Sequence, residues 1–532
     1  MSLDRALTQW RELLGRERVL DQAAAMSSYG ADCGAARRRI AAALRIGDAL
    51  QVPDAVRIAL AHGVAFSPVS TGRNWGYGTA LPAADDCVLL DLSELRRIVH
   101  FDAEMGVVTV EPGVTQGALS EFLSAGSHPF MVPTTGAGPD CSLVGNALER
   151  GFGITPHADH FAAVTDIEAV LADGTVYRTA LREMAGDELA RLFKWGIGPY
   201  SAGLFTQGSL GVVTRMSIVL ARRPATVQVA LFGLEHDGLL EPAVTAVRKV
   251  LSTLPGLVGG VNLMNRHRVL AMTAPYPRDR LGPDGLISEA ALVALGRQLQ
   301  IAPWTGFATL YGTPRTVAAA RKEVKAALAG VATRLVFVSP RLAQTIDVVA
   351  ALLPGDLGRR IRRATRTLRQ SLDIASGRPS QAALPLAYWL EQEDKPVPAQ
   401  PHPSRDGVGL IWYAPLVPMR AEKVREFVRL THEVTRRFGI EPLITLTSLN
   451  DRLFECTIPI LFERHLPHRI DAARACLDTL IESGRRCGVF PYRLGIESMH
   501  YFGRNAGPAR QLHARMLSGL DGAALLNPGR YS

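Results

Sequence analysis

Glycine-rich turns fall where short apolar runs end, and this alternation restricts the chain more than any other feature. From Leu44 an apolar run leads to Val52-Pro53-Asp54, which opens the helix AVRIALAHG, closed by Gly63. AFSPVS follows as a strand and runs straight into TGRNWGYG, Thr71 to Gly78. Proline in the first helical turn and glycine just past the last are helix boundaries, so the segment reads as β-α-β. CVLLDL (Cys87 to Leu92) and the hairpin RIVHFDAEMGVVTVEPG read as further strands. Thr115 to Ala125 reads as a helix closed by Gly126, and DIEAVLADGTVYRT as a strand pair turning on Asp173-Gly174.

Loops such as TGRNWGYG and GNALERGFG (Gly145 to Gly153) let backbone N–H groups approach a phosphate, because glycine tolerates positive φ and has no side chain in the way. Two such loops suit a diphosphate, although each alone serves equally well as a structural turn. Neither is the dinucleotide G-x-G-x-x-G fingerprint followed by an acid, nor the G-x-x-x-x-G-K-[ST] loop, so nicotinamide and ATP readings are weak. With 532 residues, 47% hydrophobic and 20% charged, the chain has the material for a large core. Arg222 to Asp451 mixes helices and strands with fewer glycine loops. It contains the proline-rich KPVPAQPHPS, read as an exposed excursion in a second domain.

A third segment, GPYSAGLFTQGSLGVVT, extends the series. The ordered set TGRNWGYG, VPTTGAG, GNALERGFG, TPHADH, GPYSAGLFTQGSLGVVT, PYRLG and NPGR, from about Ala42 to Ser532, resembles the vanillyl-alcohol oxidase and p-cresol methylhydroxylase family of flavoproteins. The resemblance implies an α+β fold. A two-part PCMH-type FAD-binding domain would take residues 1–222 and a returning C-terminal segment, 470–532. A cap domain with an antiparallel sheet flanked by helices would take residues 223–469. It also implies that Gly72, Arg73, Asn74, Gly76 and Gly78 cradle the diphosphate. Thr135, Gly136, Gly145, Asn146, Gly151, Gly208, Gly211 and Val213 would line the rest of FAD, with Arg530 closing over it.

The family's reaction starts from a 4-alkylphenol bound as phenolate, whose oxygen pushes electrons toward the benzylic carbon as hydride leaves and a p-quinone methide forms. Ionising a phenol of pKa near 10 needs donors and positive charge aimed at its oxygen. Tyr77 in GYG, and Tyr492 with Arg493 in PYRLG, match the family's phenolate-binding trio. Asp159 in TPHADHF matches its acidic residue near flavin N5 and is the expected base; the competing reading is a turn cap. Where part of the family joins a cap-domain histidine or tyrosine to the flavin, this chain aligns Cys456, so non-covalent FAD is expected. His157-x-x-His160 lacks a third ligand, and no metal is expected.

The charge balance, 59 Lys+Arg against 50 Asp+Glu, gives +9. The helix GRRIRRATRTLRQ sets Arg359, Arg362, Arg363 and Arg366 largely on one face, for solvent, an anionic substrate or an acidic carrier protein. No aromatic residues interleave with it, which argues against nucleic acid. Six scattered cysteines fit a reducing cytoplasm, and no run reaches the length of a membrane span. The partners expected are a small phenolic substrate, carboxylated ones included, and a second copy of the chain as a homodimer. The leading function is FAD-dependent oxidation of a para-substituted phenol, the quinone methide being resolved by hydration, desaturation or oxidative decarboxylation. The alternatives are an FAD-dependent oxidase of an alcohol or 2-hydroxy acid, and a non-catalytic polyanion or carrier-protein binding module.

Overall fold

The computed structural model describes residues 2–352, 369, 372–391, 397–504 and 506–531. The arginine helix around Arg359, Arg362, Arg363 and Arg366 therefore lies outside the described residues. In the β-α-β unit, Ile40–Arg45 and Phe66–Val69 do not pair with each other. Cys87–Asp91 enters between them, parallel to both. All five residues of that strand are buried, as a short continuous apolar run at the centre of a parallel sheet should be. Helix Val52–Ala61 packs Val52, Ala55, Val56 and Ala59 inward, and Trp10 of helix Ser2–Leu14 donates to the Ala55 carbonyl at 3.0 Å.

A second, antiparallel sheet takes the order Ile98–Asp102, Val107–Val110, Gly211–Val219, Val164–Leu171, Val176–Tyr177. Its last two strands turn on Asp173-Gly174, with Gly174 at φ 82°. Helix Gln116–Ala125 packs beside it, its N-cap Thr115 accepting from Ala118 N and Gly126 at its end, as the sequence predicts.

The third sheet is antiparallel and has nine strands among the described residues. Its order is Arg334–Val338, Thr226–Leu234, Trp304–Gly312, Val258–Asn265, Thr445–Ser448, Leu453–Phe462, Pro415–Pro418 and Phe490–Pro491, with Gly409–Tyr413 added on Leu453–Phe462. Helices Leu240–Thr253, Pro314–Ala327, Ala421–Arg437 and Pro467–Arg486 share one large core with it. Strand alternation then sorts Leu453–Phe462. Phe454, Cys456, Ile458 and Ile460 enter that core, while Glu455 and Thr457 face the opposite side. Burying each large apolar side chain contributes about 1.5–3 kcal/mol, so a one-residue slip is strongly disfavoured.

The chain end returns to the first sheet. Leu526 bridges Phe66 in parallel, Asn527 N donates to the Phe66 carbonyl at 2.6 Å, and Ser67 Oγ donates to Asn527 Oδ1 at 2.7 Å. The proline-rich stretch matches the expected exposed excursion only in part: Pro398 to Gln400 are exposed, but Ser404 is buried and Pro403 lines the central cavity. His402 N and the Tyr388 hydroxyl both donate to Asp406 Oδ2, at 2.8 and 2.6 Å, and pull the loop inward. Among the described residues, no helix is long and apolar enough to cross a membrane.

Candidate active site

A cavity of about 530 Å³ lies where the glycine-rich turns meet the uncovered face of the nine-stranded sheet. Thr71 to Ala80, apart from Gly76, forms one wall. Gly72 (φ 63°) and Gly78 (φ 116°) adopt conformations that L side chains rarely reach, and a Cβ on Gly78 would fall 2.7 Å from Ile496 Cδ1. Helix Leu143–Leu148 delivers Gly145 and Asn146, its N-cap Ser142 accepting from Gly145 N at 3.0 Å. Gly72, Arg73, Asn74, Gly78, Thr135, Gly136, Gly145, Asn146, Gly151, Gly208, Gly211, Val213 and Arg530 all line this cavity. Gly76 does not. Its carbonyl accepts from Trp412 N at 3.2 Å and its φ is 75°, so it serves the close approach of the loop to strand Gly409–Tyr413.

The two tyrosines and Arg493 meet at one end. Strand Phe490–Pro491 closes the sheet on Pro415–Pro418, and the chain then leaves as Tyr492-Arg493. Gln207 Nε2 donates to the Tyr492 carbonyl at 3.1 Å, and the Tyr492 ring meets Phe152 edge-on at 5.4 Å. The Arg493 guanidinium lies over the Tyr77 ring, 4.1 Å from its centroid, and donates to Asn74 Oδ1. Burial pushes both tyrosine hydroxyls above their usual range, so they stand as protonated donors.

Glu149, in GNALERGFG, has no assigned part in the sequence reading, yet it ties two distant arginines together. Its Oε2 lies 3.2 Å from Arg493 Nε and its Oε1 accepts from Arg530 Nη2. Burial works against its charge, but Arg530 and Arg493 outweigh burial and hold its carboxyl below the usual range. Ser209 Oγ in turn donates to the Arg530 carbonyl at 2.9 Å and fixes the chain end.

The nine-stranded sheet supplies a second polar group. Glu455 and Thr447 are cross-strand partners, both lining the cavity, and Thr457 Oγ1 donates to Glu455 Oε2 at 3.2 Å. Burial pushes the Glu455 carboxyl up to about 7, against the pull of Thr457, Arg268 and Arg493. Arg268 lines the same wall, and burial lowers its guanidinium to about 10.

Asp159 is not brought to this cavity. It is exposed, and its Oδ1 accepts from Ala162 N at 2.9 Å, so the side chain caps a surface turn. Asp159→Asn is accordingly expected to leave turnover within about twofold and to cost about 1 kcal/mol of stability or less; steady-state rates and thermal unfolding check both. His160 Nδ1 meets the Asn146 amide, and burial lowers its imidazole to about 4, so it stays neutral.

The donor set fits FAD. Glycine turns offer backbone close to a diphosphate, Arg73 Nε and Trp75 Nε1 are buried without a hydrogen-bond partner among the described residues, and both side chains line the cavity. The fold and this cavity define a flavoprotein, and residues 40–180 match the FAD binding domain family model.

The chain is 34% identical to 1'-carboxy-chondrochloren decarboxylase of Chondromyces crocatus, over 99% of this chain and 97% of that one. It is 26% identical to the 4-cresol dehydrogenase (hydroxylating) flavoprotein subunit of Pseudomonas putida, over 99% and 95%. The solved structure of p-cresol methylhydroxylase with substrate bound superposes with a TM-score of 0.86, at 24% identity, covering 100% of this chain and 96% of that one. The chain belongs to the vanillyl-alcohol oxidase and p-cresol methylhydroxylase family, and it is an FAD-dependent oxidoreductase.

Proposed function

We propose that the chain oxidises a para-substituted phenol at its benzylic carbon, with the phenolic oxygen held by Tyr77, Tyr492 and Arg493. The observation that carries this reading is the meeting of two half-buried tyrosines and a guanidinium at one end of the cavity that takes FAD. Relatives named for 4-cresol and for a carboxylated product precursor support it. Arg493 and Arg530 share one anion, Glu149, so the cluster keeps one positive charge in excess for a phenolate. In a water-poor site that charge is worth more than in bulk solvent. The ionised oxygen pushes electron density to the para carbon, so the benzylic C–H departs as hydride and the substrate becomes a p-quinone methide. FAD, when bound, supplies the hydride acceptor.

Glu455 takes the role first expected of Asp159. A carboxylate with a pKa near neutrality, facing the cavity from the cap sheet, accepts a proton from attacking water or from the side-chain carbon next to the benzylic position. Hydration gives an alcohol and desaturation an alkenyl phenol. Where that neighbouring carbon carries a carboxylate, loss of CO2 gives the alkene without a base. Anaerobic mixing with 4-ethylphenol should bleach the flavin absorbance, and a 2-hydroxy acid without a phenol ring should not. The reverse pattern overturns the reading.

FAD is held without a bond to Cys456 in this proposal. The thiol points into the helix-covered core, with burial raising its pKa well above the usual range, and the residue does not line the cavity. Acid precipitation should release the yellow colour into the supernatant. Colour retained in the pellet would overturn non-covalent binding and direct attention to Cys141, a thiol that does line the cavity.

A further inference from the structure

We propose that Arg268 is the counter-ion for a carboxylate carried on the para side chain of the phenolic substrate. The inference rests on the phenol reading above and adds the substrate class to it. Arg268 lines the cavity, and its Nε and Nη1 are buried with no hydrogen-bond partner among the described residues. A buried charged donor left unpaired is expensive, and a folded protein keeps one where a ligand completes it.

The residue is also held firmly in place. Asn265 caps the helix Arg266–Thr273 by accepting from Arg268 N at 3.0 Å. Asn265 is itself fixed by donating to the Pro442 carbonyl at 2.6 Å and accepting from Ile444 N at 3.0 Å. Three hydrogen bonds thus converge on the Asn265 side chain, one of them from the Arg268 backbone that presents this guanidinium.

Glu455 does not satisfy it. The two make no ion pair, and the Glu455 carboxyl is engaged by Thr457. The sheet order explains the spacing. Arg268 follows the end of Val258–Asn265 and Arg493 follows the end of Phe490–Pro491. Thr445–Ser448, Leu453–Phe462 and Pro415–Pro418 lie between, so the two outer strands are four strand spacings, about 19 Å, apart. Glu455 is on the middle strand and its carboxyl responds to both arginines. A molecule with an ionised phenol at one end and a carboxylate at the other places its reacting carbon between the two cations, beside Glu455.

The test is equilibrium titration of the FAD-loaded protein with 4-hydroxycinnamate and with its methyl ester, neither of which has a saturated benzylic C–H to lose. The acid should bind at least about tenfold more tightly than the ester in the parent protein. In Arg268→Met the ratio should fall to about one with the ester's Kd unchanged; Arg268→Lys, which keeps the charge, should retain part of it. Equal binding of acid and ester by the parent protein overturns the carboxylate site and leaves the phenol reading standing. Failure of both probes to bind overturns the phenol reading and this inference with it. An unchanged ratio in a folded, yellow Arg268→Met protein overturns the assignment of Arg268.

Discussion

Glu455→Gln is expected to slow formation of hydrated or desaturated product by about 10²–10⁴-fold, the usual contribution of one positioned acid–base group. Glutamine keeps the shape and still accepts the 3.2 Å hydrogen bond from Thr457 Oγ1, so the sheet should fold normally. The pH profile adds a second readout. Burial raises the Glu455 carboxyl to about 7, and a base works only when ionised. The parent protein's rate should therefore rise with pH through that region and level off above it. The variant should lack this limb. A parent profile flat from pH 5 to 9, or a variant with the same limb, would remove Glu455 from the chemistry.

Arg493→Met should weaken phenol binding by the equivalent of about 2–5 kcal/mol, the usual cost of removing one partner of a buried charged contact, which is about 30- to several thousand-fold in Kd. The flavin should stay bound. Glu149 keeps its contact with Arg530, and within TGRNWGYG Arg493 touches the Asn74 side chain and the Tyr77 ring rather than the glycines. Titration with a para-substituted phenol, followed by the flavin spectrum, measures both effects in one experiment. Unchanged affinity would place the phenolic oxygen elsewhere in the cavity.

Local chain geometry was readable without coordinates. Positive φ at Gly72, Gly78 and Gly174, the helix closed at Gly126 and the buried run Cys87–Asp91 follow from glycine's freedom and from apolar patterning within a few residues. The strand order did not follow, because nothing local says that Cys87–Asp91 enters between Ile40–Arg45 and Phe66–Val69. Glu455 had a signal that could have been used: an acid inside the apolar strand LFECTIPILF is costly unless it faces something polar. The neighbouring Cys456, at the position of the family's flavin anchor, lies on the other face of the same strand. Asp159 is the opposite case: a motif match carries no information about which way a turn points, and in the structure its carboxylate caps a turn at the surface.

By itself the sequence determined the family, the FAD requirement and the segments that surround the cavity, because those reside in the order and spacing of glycine turns along the chain. The tertiary structure alone decided the electrostatics. Glu149 becomes the shared anion of Arg493 and Arg530 only when its loop meets two C-terminal segments that lie more than 300 residues further along the chain. Which of Glu455 and Cys456 meets the cavity was settled by which face of the nine-stranded sheet the helices cover. Alternation along a strand gives two faces, and only packing assigns one of them to water, ligand or core.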